Sequence, residues 1–211
     1  MKKGLLISIE GLDGSGKTTQ IEMLKKHLEN LGEKVIVLRE PGGTNIGEQI
    51  RTILLDHKNT EMNDVAEMFL YAASRAQLFS QIIKPNLESG IIIICDRFID
   101  SSIVYQGYGR GLDVDDVIKA NLTAIQNRLP DITLFIDINA MTSLERRMNA
   151  SKADRLEREA IQFHERVYEG YIKLSKIFKD RIIIINGEGK IKDISNQMIK
   201  EVDNLLKRRN I

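Results

Sequence analysis

The sequence has almost no cysteine: Cys95 stands alone, which excludes an internal disulfide framework and fits a reducing compartment, so a cytoplasmic location is expected. It has no surplus of either charge, with 31 Lys and Arg against 30 Asp and Glu. That removes the electrostatic basis for non-specific binding to nucleic acid or to a membrane surface. Long apolar runs are missing as well. The longest, Met68–Ala73, falls far short of the ~20 residues that span a bilayer. The apolar stretch after Met1-Lys2-Lys3-Gly4 ends at Glu10 without a small-residue cleavage pattern and reads as a strand, not a signal peptide. Proline is scarce at 3 residues, and no linker, repeat or low-complexity tract divides the chain. One domain over residues 1–211 is therefore expected. His27, His57 and His164 have no partners at metal-ligand spacing, so no structural metal site is expected.

What the chain does have is five short runs rich in Ile, Val and Leu: Leu5–Glu10, Lys34–Arg39, Ile91–Asp96, Ile132–Asp137 and Arg181–Asn186. Little polar alternation interrupts them, as expected of strands covered on both faces. Helical stripes lie between them. Ile21, Leu24, Leu28 and Leu31 form one that stops at Gly32; Ile46, Ile50, Ile53 and Leu54 form the next. Val65, Met68, Phe69, Ala72 and Ala76 make a third, and Val114, Val117, Ile118, Leu122 and Ile125 a fourth. Thr142-Ser143-Leu144-Glu145 has the form of a capping box, and Ile191, Ile194, Met198, Val202 and Leu205 mark a C-terminal helix. Strands alternating with helices predict a three-layer α/β fold around a five-stranded parallel sheet. In such sheets ligands bind beyond the carboxyl ends of the strands.

The first strand is followed by Gly11-Leu12-Asp13-Gly14-Ser15-Gly16-Lys17-Thr18, a complete G-x-x-x-x-G-K-[ST] phosphate loop. Glycines let backbone N–H groups approach phosphate oxygens, Lys17 adds a point charge, and Thr18 offers a hydroxyl to Mg²⁺. This identifies nucleotide binding but suits a GTPase or motor ATPase equally. The second strand ends in Arg39-Glu40-Pro41-Gly42-Gly43-Thr44, either a tight loop or a ligand-approaching one. The third ends in Asp96-Arg97, where a carboxylate can hold Mg²⁺ through water and an arginine can fork onto phosphate. Arg51 and Arg75 sit on the helices between. Each alone fits a surface ion pair; converging, the three arginines fit a monophosphate dianion.

The phosphate loop, Arg39–Thr44, Tyr71-Ala72-Ala73-Ser74-Arg75, Asp96–Gln106 and Phe163–Tyr171, in that order, resemble the thymidylate kinase family, and the last segment resembles its bacterial members. The likeness covers essentially the whole chain. It implies a P-loop kinase fold and Mg²⁺-dependent transfer of the ATP γ-phosphoryl group to dTMP. The donor set would be Gly11, Leu12, Asp13, Gly14, Ser15, Gly16, Lys17, Thr18 and Thr19, with Arg146 against the adenine. Thr18, Asp96 and Glu40 would surround the metal. Arg97 and Arg51 would hold the dTMP phosphate beside Glu40. Arg75, Ser102 and Gln106 would meet the thymine, Tyr71 would stack on it, and Tyr105 would exclude a 2′-hydroxyl. Asp13 would contact the acceptor 3′-hydroxyl. Since the loop interior carries no arginine, the resemblance assigns the catalytic charge to a lid at about 149–158, with Lys17, Arg97, Asp13 and Arg155 as the catalytic set. Lys152 and Arg158 fit a solvated helix start as well as a lid. A homodimer through the Asp64–Ser80 region is also implied. The rivals are a kinase for another deoxynucleoside monophosphate and a P-loop regulatory protein.

Overall fold

A computed structural model describes residues 3–148 and 154–209. Lys152 and the first half of the expected lid lie outside the described residues. The chain runs β1 (Leu6–Glu10), α1 (Lys17–Asn30), β2 (Val35–Arg39), α2 (Asn45–Leu55), α3 (Asp64–Leu78), α4 (Lys84–Glu88), β3 (Ile92–Asp96), α5 (Ile99–Ser102), α6 (Val114–Ala124), β4 (Ile132–Asp137), α7 (Ala140–Met148), α8 (Ile161–Ile177), β5 (Ile182–Asn186) and α9 (Ile191–Arg209). The five strands form one parallel sheet in the order β2-β3-β1-β4-β5. The expected fold class is thus observed, each strand lying within the run that announced it.

Period-two geometry explains the unbroken apolar runs. Leu5, Ile7 and Ile9 join Ile92, Ile94, Leu134 and Ile136 against α1 and α9. Leu6, Ile93, Cys95 and Phe135 face the other way, against α3, α6 and α8. Both faces are covered, so both sets must be apolar. A fully buried aliphatic side chain gains roughly 2 kcal/mol by leaving water, and Leu6, Ile7, Ile9, Ile93 and Ile94 are all inaccessible. Cys95 sits in the core, unpaired with any other cysteine.

Two details depart from the sequence reading. The helix expected to open at Thr142 begins at Ala140, because Asn139 Oδ1 accepts from Thr142 N–H at 2.9 Å and takes the capping role. Two helical stretches also widen into π turns, Phe79–Ile83 continuing α3 and Ile103–Gly109 continuing α5. The second carries Tyr105 and Gln106, and such widened turns concentrate at functional sites.

One ion pair locks the helical layer to the sheet. Asp100, inaccessible on α5, accepts from Arg181 Nη1 at 2.6 Å and Nη2 at 2.7 Å, and from Thr133 Oγ1 of β4 at 2.8 Å. Asp100→Ala leaves the nearly buried Arg181 guanidinium unpaired, which costs on the order of 3–5 kcal/mol. Calorimetry should record a Tm lower by about 10 °C. A shift below about 2 °C would show the pair to be dispensable.

Candidate active site

The phosphate loop leaves β1 through Gly11, Gly14 and Gly16 at φ 146°, 92° and 89°. A Cβ on Gly11 would lie 2.8 Å from Ser15 Oγ and 2.9 Å from the Ile136 carbonyl, so a side chain is excluded there. Gly16, left-handed, is the N-cap of α1, whose positive end faces the loop. Lys17 folds back over the loop, donating from Nζ to the Gly11 and Leu12 carbonyls at 3.0 Å each, 3.6 Å from Asp13 Oδ1. Burial and then the nearby Arg97 lower its pKa, while the surrounding carboxylates oppose them.

Across from the loop stands a wall of arginines. Arg97 follows β3 with φ 69°, a left-handed conformation that a non-glycine residue adopts at a cost on the order of 1 kcal/mol or more. Its Nη2 donates to Asp13 Oδ1 at 2.8 Å and its Nη1 to Ser101 Oγ at 3.1 Å, with the guanidinium 5.1 Å from the Tyr105 ring centre. Although burial works against its charge, Asp13 and the neighbouring tyrosines raise its pKa. Arg51 donates to the Pro41 carbonyl at 2.9 Å, so the Arg39–Thr44 segment is more than a turn: it seats this arginine. Thr44 caps α2 by accepting from Gly47 N–H, which fixes the helix that carries Arg51.

Glu67, Tyr71 and Arg75 follow one another at i, i+4 spacing and share one face of α3. Arg75 is almost inaccessible. It donates to Glu40 Oε2 at 2.6 Å, Ser102 Oγ at 2.8 Å, the Phe98 carbonyl at 3.1 Å and Asn121 Oδ1. Glu40 is as buried, and burial pushes its carboxyl up to about 7 against the downward pull of Arg75. Burial likewise pushes up the phenols of Tyr71 and Tyr105, which stay neutral aromatic surfaces.

These residues meet in one cavity of about 480 Å³, a volume suited to a small ligand. On the loop side it is lined by Asp13, Gly14, Gly16, Lys17, Thr18 and Thr19, with Arg146 at the rim. On the other side stand Glu40, Arg51, Tyr71, Arg75, Asp96 and Arg97, with Ser102, Tyr105 and Gln106. Gly11, Leu12 and Ser15 of the loop are buried and are not among the residues that line the cavity. Arg155 is placed elsewhere: it donates to the Leu54 carbonyl at 2.9 Å and to Glu67 Oε2 at 2.5 Å, while its neighbours Asp154, Leu156 and Glu157 line the cavity.

Sequence reasoning passed over Glu10, which ends β1. Its carboxylate is inaccessible and accepts from Phe98 N–H at 2.7 Å, Ser8 Oγ at 2.9 Å, Ser101 Oγ at 2.5 Å and Tyr171 O–H at 2.8 Å. Burial and then Asp100 raise its pKa. Ser101 and Tyr171 in turn approach Arg97, so Glu10 underpins the turn that aims this arginine. The available signal was a carboxylate closing an apolar strand directly before the phosphate loop.

The donor set suits a magnesium ion. Thr18 and Asp96 present hard oxygens on the same cavity, and Glu40 Oε1 is buried without a hydrogen-bond partner. Among the described residues no group of three or more His, Cys, Asp or Glu could hold a metal ion. Mg²⁺ needs no such cage, being held by one or two carboxylates together with substrate phosphates.

The family model for thymidylate kinase matches residues 9–198. A thymidylate kinase of Caldanaerobacter subterraneus subsp. tengcongensis is 48% identical over 205 residues, covering 97% of this chain and 98% of that protein. One from a Thermoanaerobacter species is 49% identical over 204 residues, covering 97% of this chain and 100% of the other. The crystal structure of thymidylate kinase from Ehrlichia chaffeensis superposes with a TM-score of 0.79 at 33% identity, covering 95% of this chain and 99% of that one. A match that begins inside β1 and ends inside α9 takes in both walls of the cavity, and the chain belongs to the thymidylate kinase family: it is a nucleoside-monophosphate kinase.

Proposed function

We propose that this chain is a Mg²⁺-dependent dTMP kinase, with ATP on the glycine loop and dTMP on the opposite wall, giving ADP and dTDP. The observation that carries this reading is the joint presence of Lys17 and the three arginines Arg51, Arg75 and Arg97 around one cavity. A regulatory NTPase has no need for an acceptor wall of that kind.

The acceptor oxygen of a nucleoside monophosphate is already ionised near neutral pH, so no general base is required; catalysis is positioning and charge neutralisation. Arg97 and Arg51 hold the dTMP phosphate in line with the ATP γ-phosphorus. A bond forms from an acceptor oxygen to that phosphorus as the bond to the β–γ bridging oxygen breaks, and Lys17 offsets the charge passing to ADP. Thr18 and Asp96, with Glu40 alongside, would hold magnesium, which would supply further charge neutralisation. Gln106 and the hydrogen-bonded pair Arg75–Ser102 face the thymine, Tyr71 stacks on it, and Tyr105 closes the space a 2′-hydroxyl would need. Asp13 exchanges Arg97 for the acceptor 3′-hydroxyl. Arg146 lies against the adenine.

The lid, at 149–158 of a single kinase domain, brings Arg155 from Glu67 to the transferring group and excludes water. Arg155→Ala should lower kcat on the order of 100-fold and leave the dTMP KM within about threefold, by steady-state assay. An unchanged kcat would remove Arg155 from the catalytic set.

A second copy is proposed to pack on α3, where Val65 and Phe69 are exposed beside a groove that also includes Leu112 and Ala120. Among the described residues no helix is long and apolar enough to cross a membrane, and the lone buried thiol supports a cytoplasmic location. ADP release and nucleoside diphosphate formation across dTMP, dUMP, dCMP, AMP and GMP test the function directly. Turnover with dTMP foremost is expected. Turnover with AMP or dCMP but not dTMP would overturn the assignment, and acceptor-independent hydrolysis would favour the regulatory rival.

A further inference from the structure

Glu67 takes no part in the chemistry above, yet it is inaccessible and carries more hydrogen bonds than burial alone would require. Its Oε1 accepts from Gln106 Nε2 at 2.9 Å and Arg110 Nε at 3.3 Å; its Oε2 accepts from Arg110 Nη2 at 3.1 Å and Arg155 Nη2 at 2.5 Å. Burial raises its pKa, but the bonds from Arg110 and Gln106 outweigh that and hold it below the usual carboxylate range. An ionised carboxylate accepts and never donates. Gln106 must therefore turn its NH₂ toward Glu67, since the flipped amide would set its carbonyl oxygen against a charged oxygen. The carbonyl end is left for the cavity that Gln106 lines.

An acceptor fixed at that point distinguishes pyrimidines by their Watson–Crick edge. Thymine and uracil carry an N3–H donor, whereas cytosine has an unprotonated N3 acceptor at the same place. A buried polar group left facing a like group is a strong means of rejection. We infer that Glu67 is a positioning residue that locks the Gln106 amide with its carbonyl toward the base, so that the acceptor pocket selects the N3–H pyrimidines over cytosine. The inference rests on the proposed reading that Gln106 meets the base.

Glu67→Gln keeps shape and volume but supplies an amide that can either donate or accept, so Gln106 is free to flip. Steady-state kinetics of the full chain with ATP and Mg²⁺, on dTMP and dCMP, should show the dTMP-to-dCMP ratio of kcat/KM falling at least about tenfold. The fall should come from a higher dTMP KM and improved dCMP use, with the ATP KM within about threefold. A merely structural role would weaken both acceptors equally, and an unchanged ratio would overturn the inference. Glu67→Asp, still acceptor-only, should retain the ratio and covers the case in which Glu67→Gln does not fold; loss of the ratio in the aspartate variant would also overturn it. Gln106→Leu separates the two levels. If it leaves the dTMP-to-dCMP ratio unchanged, the reading that Gln106 meets the base fails. If it lowers the ratio while Glu67→Gln does not, only the role of Glu67 fails.

Discussion

Arg97→Ala should lower kcat/KM for dTMP by about 1,000-fold or more while leaving ATP binding within about threefold. The guanidinium lines the acceptor wall and is seated on Ser101 and Tyr171, and the Nη2 that Asp13 gives up is free to fork onto a phosphate dianion. Arg97→Lys keeps the charge and loses the fork, so an intermediate loss is expected. Steady-state kinetics with each substrate varied, together with ATP binding by calorimetry, separate the two walls. Loss of ATP affinity with the dTMP KM intact would mean that Arg97 serves the donor.

Lys17→Ala should give the mirror image: kcat lower by roughly 100- to 10,000-fold, weaker ATP binding, and dTMP binding within about threefold. The ammonium lies over the loop on two carbonyls, and the variant removes a point charge without disturbing the glycines that shape the cradle. Lys17→Arg should not rescue, because a planar fork cannot occupy the place of a compact ammonium. Near-normal turnover in either variant would show that the loop binds nucleotide without stabilising the transferring group.

The layered fold was legible because both faces of the sheet are covered, which makes each strand an unbroken apolar run. The ends were less so: Leu5, Lys34, Ile91 and Arg181 read as strand but precede it, since pairing depends on the neighbouring strand as well as on residue type. Strand order is set by packing at long range and left no local trace. Thr142 misled because a stronger cap, Asn139, stood three positions earlier. The π turns at Phe79–Ile83 and Ile103–Gly109 have no local spelling either.

The site divides along the same line. The phosphate loop is contiguous, so eight residues spell out its chemistry. The acceptor wall draws on β2, α2, α3, β3 and the turns after them, and its residues became interpretable only as an ordered set. Glu10 and Glu67 escaped because their partners are remote, Tyr171 lying 161 positions from Glu10 and Gln106 39 positions from Glu67. The docking of Arg155 on Glu67 is remote in the same sense, at 88 positions.

The central claim is that dTMP occupies the arginine wall with its phosphate facing Lys17. A crystal structure with ADP, Mg²⁺ and dTMP tests it most directly. The account requires the dTMP phosphate on Arg97 and Arg51, the thymine against Tyr71 with its N3–H on the Gln106 carbonyl, and ADP on Gly11–Thr18. A dTMP phosphate seated away from both arginines, or a thymine out of reach of Gln106, would contradict it.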